Sequence, residues 1–242
     1  MLNNESYETI SCDVLVIGAG ISGIMAAKTA ATNNLKTVLL EENSNIGGST
    51  IYQNSENFKI NEKISSDWLS NEIQELTKLD NLEIKTRTSV AAYHGYNYLL
   101  ARQNFTDHLN DNEKQDKVRQ RLLKIRAKKV IVATGSLERP LIFNNNDRPG
   151  IMLSSAVKKY ADYYGVVCGK QNVLFTNNDS AYETAISLFK KGIKVQAIID
   201  IRENSNSSIV KEAKNLGIRI YWSHTVTDTY GYKKLKKISL ME

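Results

Sequence analysis

The chain has 242 residues, of which 41% are hydrophobic, enough for one large or two small domains with a buried core. Its formal net charge is +6, and the basic residues concentrate in two runs, 117–129 and 233–237. Both runs alternate with apolar residues like the solvent face of a strand, and neither carries interleaved aromatic side chains for base stacking. We therefore predict solvated strand faces and no nucleic-acid partner.

Membrane insertion and disulfide-based folds are also excluded. No apolar run reaches the roughly 20 residues of a membrane span, and the polar N-terminus lacks a secretory signal. Two cysteines, Cys12 and Cys168, lie far apart and form no CxxC pair, which excludes a disulfide scaffold or a vicinal dithiol built from this chain. No membrane association is expected, and a reducing cytoplasm is the expected location.

The first half of the chain begins with a predicted strand–turn–helix–strand unit. An apolar run at 13–17 precedes GAGISG, a helical alanine-rich segment follows, and a second apolar strand covers 36–41. Such a unit is parallel and right-handed. Residues 65–79 predict a helix capped by Ser66 or Asp67. Two alternating segments then predict a meander, which ends in a strand, a turn and the buried strand VIVATG.

The second half repeats this alternation. A predicted helix at 154–165 is followed by a strand at 171–175, a helix at 179–191, further alternating elements and a terminal hairpin. The turn TNNDS, which joins the first strand to its helix, contains no glycine. Asn and Asp tolerate turn conformations, and we expect Asp179 or Ser180 to cap the helix.

The first turn has the residues of a dinucleotide-binding loop. Gly18 permits the tight turn, Gly20 lets backbone N–H groups approach a pyrophosphate, and Gly23 lets the helix pack close to the strand. The helix N-terminus adds unpaired N–H groups and a partial positive charge. Glu41, at the end of the second strand, is placed to bind the adenosine ribose hydroxyls. It and Glu42 would repel a 2′-phosphate, and no Arg follows, so NAD is favoured over NADP.

Two further motifs extend this pattern. Gly47 and Gly48 follow Glu41 at the spacing typical of two-domain flavoproteins, where they turn the chain back beside the pyrophosphate. Ser49 comes next and is able to donate to a phosphate. The strand VIVATG ends in Ala133-Thr134-Gly135, which in those flavoproteins closes the first domain beside the cofactor. Together the motifs predict a bound ADP moiety, which NAD and FAD share.

These elements predict an α/β fold with two Rossmann-like domains. We assign 1–150 to an FAD/NAD-binding domain of glutathione-reductase-like type that includes the meander. We assign 151–242 to a second, degenerate NAD(P)-binding-like domain inserted into the first. In this second domain the side chains of Asn177 and Asn178 occupy the space that a pyrophosphate would need, and Asp179 adds a repelling negative charge. We therefore expect this domain to bind no dinucleotide.

Longer blocks carry a more specific resemblance. In order along the chain these are RTSVAAYHGYNY, FTDHL, ERPLIF, NDRPGIMLSSAV, YADYYGV and TNNDSAY. From about Cys12 to its end the chain resembles the α subunit of heterotetrameric sarcosine oxidase. The resemblance implies oxidation of the N-methyl group of sarcosine, which yields glycine, a one-carbon unit for tetrahydrofolate and hydrogen peroxide. It also implies that this chemistry occurs on a partner subunit.

The same resemblance implies the cofactors, the partners and the binding residues. NAD is expected in this chain, with FAD as the alternative in the same site, whereas FAD and FMN lie on or between partner subunits. The partners are β-, γ- and δ-type subunits of a heterotetramer. By motif position, the cofactor contacts are expected at Gly18, Ala19, Gly20, Ser22, Gly23, Glu41, Glu42, Asn43, Gly48, Ser49, Val90, Ala133, Thr134 and Gly135.

The chain also departs from that family. Its α subunits are several times longer, with a ferredoxin-like domain and a folate-binding domain that resembles aminomethyltransferase. The sequence stops in the hairpin of the second unit, where the fold is expected to return to the first domain with a strand and a helix. We therefore expect a fragment that is inactive in isolation.

A different function stays open beside this one. A stand-alone NAD(P)H-dependent flavoprotein reductase of the pyridine nucleotide-disulfide type would need a working second glycine loop and usually a CxxC pair. The sequence predicts no catalytic residue and no metal site, because His94, His108 and His224 lack suitable spacing. Arg139 and Arg148 either meet an anionic group or hold a linker by hydrogen bonds, and we favour the linker.

Overall fold

The computed structural model describes residues 7–52, 58–113 and 118–242. The chain divides into two compact units, which we call unit 1 (Met1–Ser136) and unit 2 (Leu137–Glu242). The assignment of 1–150 and 151–242 as two nucleotide-binding-type domains stays a prediction. Within the described residues, no helix combines the length and the apolar character that a membrane span requires.

Unit 1 is built on one mixed sheet of six strands in the order β5-β2-β1-β8-β7-β6. Strands β5, β2, β1 and β8 run parallel, and β6, β7 and β8 form the antiparallel meander that the alternating segments predicted. A short hairpin, β3–β4, precedes α2. The elements are β1 (Tyr7–Ile17), α1 (Ile21–Thr32), β2 (Thr37–Leu40), β3 (Lys59–Ile60), β4 (Lys63–Ile64), α2 (Ser65–Leu76), β5 (Leu82–Lys85), β6 (Thr88–His94), β7 (Tyr98–Asn104) and β8 (Gln120–Val132).

Two details of unit 1 differ from the sequence prediction. The predicted strand, turn and strand before Gly135 form a single strand, β8, because β1 is longer than its apolar run and pairs with β8 from Tyr7 to Ile17. The predicted caps Ser66 and Asp67 are also wrong. The N-cap of α2 is Ile64, the helix begins at Ser65, and it has no side-chain cap hydrogen bond.

The core of unit 1 lies on both faces of the parallel strands. On one face α1 and α2 bury Ile24, Leu39 and Trp68. On the other face the meander buries Leu15, Leu40 and Leu123, together with the thiol of Cys12. Burial raises the pKa of that thiol to about 11, so it is protonated and inert at neutral pH. Cys168, by contrast, is exposed.

Unit 2 contains a parallel three-stranded sheet in the order β11-β10-β9 and an antiparallel hairpin, β12–β13. One face of the sheet buries apolar residues of α4 and α5, and the other packs against the hairpin. The elements are α3 (Ser154–Asp162), β9 (Gln171–Thr176), α4 (Ser180–Lys190), β10 (Lys194–Asp200), α5 (Ser208–Asn215), β11 (Ile220–Trp222), β12 (Thr225–Tyr230) and β13 (Lys237–Met241).

The two basic runs have different structures. Residues 120–129 of the first run lie on β8, where Leu123, Ile125 and Ala127 are buried and alternate with more exposed basic residues, as predicted for a strand face. The strand prediction is wrong for most of the second run, because 233–236 form the turn before β13. A tight turn there requires Gly231, whose φ is +145° and where a Cβ would lie 2.0 Å from a backbone oxygen.

Arg148 holds the segment that precedes α3. Its guanidinium donates to the hydroxyl of Thr229 at 3.3 Å, to the carbonyl of Thr229 at 3.3 Å and to the carbonyl of Gly231. These acceptors are neutral and belong to β12 and the turn after it. Arg148 therefore acts as a hydrogen-bonded tie between a linker and the hairpin.

Asp162 ties α3 to α4. Its nearly buried carboxylate accepts hydrogen bonds from Ser187 at 2.6 Å and Lys158 at 2.7 Å, and Lys191 lies 3.4 Å away. Burial alone would raise the pKa of this carboxyl, but the hydrogen bonds and the two ammonium charges outweigh it and lower the pKa below its ordinary value of 3.8. A lowered folded-state pKa stabilises the fold above the unfolded value and loses that contribution as pH falls through the folded value.

We expect Asp162→Asn to lower the free energy of unfolding at pH 7 by about 1 kcal/mol, because the amide keeps an acceptor for Ser187 but loses both ammonium partners. The difference from wild type should shrink as pH falls below about 4, which urea denaturation between pH 3 and 7 would measure. Asp80→Asn, at an exposed carboxylate, is the control. A destabilisation that does not depend on pH would contradict this assignment.

Candidate functional site

The glycine loop of unit 1 joins β1 to α1, where glycine is required at two positions. Gly18 has φ +95°, and a Cβ there would lie 2.4 Å from the carbonyl oxygen of Ala133. A Cβ on Gly23 would lie 1.8 Å from the carbonyl oxygen of Gly18. Both distances are shorter than a Cβ atom can approach another heavy atom, so these glycines allow the end of β1, the first turn of α1 and the segment after β8 to meet.

Gly20 has the opposite surroundings. It is the N-cap of α1, with φ −73°, and a Cβ built on it would meet nothing within 4 Å. Helix α1 has no side-chain cap hydrogen bond and no acidic residue in its first turn. The first N–H groups of the helix thus have no side-chain acceptor among the described residues, and open space lies beside Gly20. This is the arrangement that a phosphate group requires.

Glu41 connects this loop to the end of β2. Its side chain is 5% exposed; Oε2 accepts a hydrogen bond from the backbone N–H of Ala19 at 2.8 Å. Oε1 accepts from the backbone and side-chain nitrogens of Asn43, at 2.8 and 2.7 Å. A carboxylate has about four acceptor positions, so three of them are used within the chain. Glu41 therefore orders the loop and keeps one acceptor position that no described group uses.

The Gly-Gly pair packs the next loop against the first. The N–H of Gly47 donates to the carbonyl of Ala19 at 2.7 Å. Gly48 has φ +56°, and a Cβ there would lie 2.9 Å from the Cα of Gly20. Ser49 follows in the 3-10 helix Gly48–Ile51 and is exposed.

The remaining predicted residues lie around the same edge of the sheet. Ala133 donates its N–H to the carbonyl of Ile17 at 2.8 Å, and Thr134 and Gly135 follow as exposed residues. Exposed Ser22 lies in the first turn of α1, and exposed Glu42 and Asn43 follow Glu41.

Val90 differs from these residues, because it lies within β6 and packs against the core beneath the meander. The structure thus brings the loop, the acid, the Gly-Gly pair and the ATG segment together. Contact of any predicted residue with a cofactor stays a prediction.

Sequence reasoning missed the connection from β5 to β6. The N–H of Arg87 donates to the carbonyl of Asn43 at 2.9 Å, and the N–H of Thr88 donates to the carbonyl of Glu41 at 2.8 Å. Arg87 has φ +52°, an uncommon conformation for a residue with a side chain. These bonds fix the loop after Glu41, and no local sequence signal predicts them because the partners are more than 40 positions apart.

The glycine-free turn of unit 2 is also capped differently from the prediction. Asn178, rather than Asp179 or Ser180, provides the cap: its Oδ1 accepts hydrogen bonds from the N–H and the hydroxyl of Ser180, at 2.9 and 2.6 Å. Asp179 makes no side-chain cap hydrogen bond. Its carboxylate pairs instead with Arg202 at 2.8 Å. Asn178 precedes the N-cap by one residue, which an N-cap rule does not anticipate.

Neither the acids nor the histidines form a metal site within the described ranges, where no group of three or more potential ligands occurs. Imidazole Nδ1 of His224 lies 2.5 Å from the carbonyl oxygen of Trp222, and the ring of His94 lies near Tyr98.

Comparison with known proteins gives a match to one family model over nearly the whole chain. Residues 12–241 match the family described as pyridine nucleotide-disulphide oxidoreductase. This range includes the glycine loop, the acid, the Gly-Gly pair and the ATG segment of unit 1.

Among individual proteins, the chain is similar to sarcosine oxidase subunit alpha from two bacteria. It is 38% identical to that of Corynebacterium sp. (strain P-1) over 91% of this chain and 22% of the relative. It is 37% identical to that of Rhizobium meliloti (strain 1021) over 82% of this chain and 20% of the relative. The chain therefore spans about a fifth of the length of these relatives.

Solved structures share the fold at lower sequence identity. L-proline dehydrogenase from P. horikoshii has a TM-score of 0.68 at 24% identity, and the match covers 97% of this chain and 40% of the dehydrogenase chain. Thioredoxin reductase from Lactococcus lactis has a TM-score of 0.65 at 22% identity, and the match covers 95% of this chain and 70% of the reductase chain. At these identities the likeness describes the fold alone.

Gly23 and Gly20 should differ in how much stability an added methyl group costs. We expect Gly23→Ala to lower the free energy of unfolding by about 3 kcal/mol, because the new Cβ would meet the Gly18 carbonyl. Gly20→Ala should stay within about 1 kcal/mol of wild type, because its backbone is compatible with alanine and the space is open. Thermal and urea denaturation of both variants would measure this. Equal losses would show that the loop is packed differently.

Proposed function

Because the chain belongs to the pyridine nucleotide-disulphide oxidoreductase family, we propose that unit 1 binds the ADP moiety of a dinucleotide at the carboxyl edge of its parallel strands. One observation carries this proposal: the open space at Gly20, beside helix N–H groups that no described side chain caps. The close backbone packing at Gly18 and Gly23 fixes the conformation of the loop without a ligand. A diphosphate fits there because it supplies the acceptors that the helix N-terminus lacks.

The adenosine end determines which dinucleotide we propose. Glu41 keeps one of about four acceptor positions for a ribose hydroxyl, and Glu42 adds a second carboxylate beside it. Two carboxylates disfavour the 2′-phosphate of NADP. We therefore propose NAD, with FAD as the alternative, since both present the same ADP moiety. The other contacts proposed are those at Ala19, Ser22, Asn43, Gly48, Ser49, Val90, Ala133, Thr134 and Gly135.

At the level of the whole protein, we propose that the chain is the dinucleotide-binding part of a sarcosine oxidase-type α subunit. Similarity over 91% of the chain to a protein of that name supports this. In this proposal the partners are β-, γ- and δ-type subunits, and oxidative demethylation of sarcosine to glycine proceeds on a partner's flavin. FAD and FMN belong to or are shared with those partners, and the complex is cytoplasmic.

The second candidate is a stand-alone NAD(P)H-dependent flavoprotein reductase. The family match over residues 12–241 supports it, since that family is described as pyridine nucleotide-disulphide oxidoreductase. Against it stands the turn of unit 2, where three side chains replace the glycines of a nucleotide loop. The two cysteines are also far apart in sequence, one buried and the other exposed. We therefore rank it below the subunit of a complex.

Co-expression separates these two candidates. The chain would be purified by an affinity tag after expression with a sarcosine oxidase β-type subunit, and bound flavin and sarcosine-dependent hydrogen peroxide would be measured. A subunit role requires recovery of the partner with its flavin. Flavin bound by the chain expressed alone, together with NADPH-dependent bleaching of its absorbance, would instead favour the reductase.

Glu41 provides a direct test of the dinucleotide site. We expect Glu41→Gln to weaken NAD binding about tenfold or more, because the ribose hydroxyls lose a charged acceptor. Isothermal titration calorimetry with NAD and NADP would measure this, with Glu75→Gln on an exposed part of α2 as the matched control. Wild type should bind NAD more tightly than NADP. Unchanged affinity in a folded Glu41→Gln variant would exclude the proposed ribose contact.

A further inference from the structure

The turn of unit 2 has the same frame as the glycine loop of unit 1. In each unit three residues separate the first strand from the helix: 18–20 between β1 and α1, and 177–179 between β9 and α4. Asp179 is the N-cap of α4, as Gly20 is the N-cap of α1. By the same count Tyr182, whose side chain is fully buried, takes the place of Gly23. A residue of one unit can therefore be compared with its counterpart in the other.

The acids at the carboxyl edge also correspond. Glu41 directly follows β2, and Asp200 is the last residue of β10. In unit 1 the backbone and side-chain nitrogens of Asn43 both bond to one oxygen of Glu41. In unit 2 the backbone N–H and Nε of Arg202 both bond to Oδ1 of Asp200, each at 3.0 Å. The difference is a guanidinium in unit 2 where unit 1 has a neutral amide.

Arg202 is held between two carboxylates. One terminal nitrogen, Nη2, lies 2.7 Å from Oδ2 of Asp200 and 2.8 Å from Oδ1 of Asp179. Asp200 is fully buried and also accepts a hydrogen bond from the hydroxyl of Tyr182 at 2.7 Å. Asp179, by contrast, reaches Arg202 from the turn, where unit 1 has open space at Gly20.

The Asp179 carboxylate is stabilised as an anion by several donors. Partial burial alone would raise its pKa, but Ser207, Arg202 and Ser205 outweigh this effect and lower the pKa below its ordinary value. Two carboxylates around one guanidinium leave this group with one excess negative charge. A phosphate approaching the N-terminus of α4 therefore meets a neutralised arginine and a net repulsion.

We propose that Asp179 is an internal substitute for a nucleotide phosphate and that its ion pair with Arg202 closes unit 2 to dinucleotides. The comparison rests on the phosphate position proposed for unit 1. A consequence for function is that unit 2 does not bind a pyridine nucleotide as an electron donor, so a dinucleotide in this chain is confined to unit 1. A second consequence is that Arg202 becomes available to a diphosphate when the Asp179 charge is removed.

Thermal denaturation with inorganic pyrophosphate tests this. The measurement uses a Gly20→Asp background, because that substitution puts the same carboxylate into unit 1 and blocks its phosphate position. With Asp179→Ala added, we expect pyrophosphate to raise the melting temperature by a few degrees. Pyrophosphate should not raise the melting temperature of the Gly20→Asp variant alone. It should also not raise that of the triple variant with Gly20→Asp, Asp179→Ala and Arg202→Gln.

Asp179→Asn serves as an alternative to Asp179→Ala in case the alanine variant does not fold. Asp179→Asn removes the charge but keeps the size of the side chain and its contacts with Ser205 and Ser207, so it should give the same pyrophosphate response. The proposal is overturned if folded variants of both kinds show no response, or if the response persists without Arg202.

The proposed site in unit 1 is tested separately by measuring NAD binding to wild type and to the single variant Asp179→Ala, both without Gly20→Asp. Asp179→Ala should melt at a lower temperature than wild type and bind NAD at the unit 1 site with unchanged affinity. Loss of NAD binding by this variant with intact stability would contradict the closure of unit 2. Absence of NAD binding by wild type would instead contradict the site in unit 1.

Discussion

The close approach of α1 to the end of β1 is the constraint on which unit 1 depends. It exists because Gly23 has no side chain where a Cβ would lie 1.8 Å from the carbonyl oxygen of Gly18. This approach sets the helix N-terminus beside the carboxyl edge, and Glu41 then ties the loop to β2 through the amide of Ala19. Packing within the chain therefore fixes the direction of the helix N–H groups and of their partial positive charge.

The two units show how one backbone frame supports opposite electrostatic outcomes. In unit 1 a missing side chain leaves open space beside the N-terminus of α1. In unit 2 the corresponding position has its own carboxylate, with Arg202 as a permanent partner. The acid at the end of the second strand is retained in both units, which indicates that it contributes to the fold independently of a ligand. Strand order and helix placement therefore do not determine whether the position beside the helix N-terminus is open or filled by an ion pair.

Much of this was predictable from local sequence, and the failures have physical causes. The glycine loop, the acid after β2 and the meander follow from short motifs and from alternation, so they were predicted. The continuous β8 was missed because its length is set by pairing with β1. The Asn178 cap and the contacts of Arg87 and Arg202 were missed because they depend on turn geometry and on partners distant in sequence. The signal for Arg202 was its place two residues after an acid at a strand end.

The two cysteine thiols differ in their accessibility, so alkylation can be used to follow local opening of the fold. Cys168 is exposed and accessible to an alkylating reagent in the native state, whereas Cys12 is buried within β1 with a pKa raised to about 11. Alkylation of Cys12 therefore requires the first strand of unit 1 to separate from its neighbours, and its rate reports the free energy of that opening. The glycine loop directly follows β1 at Gly18. The same rate therefore reports the stability of the strand from which the loop begins.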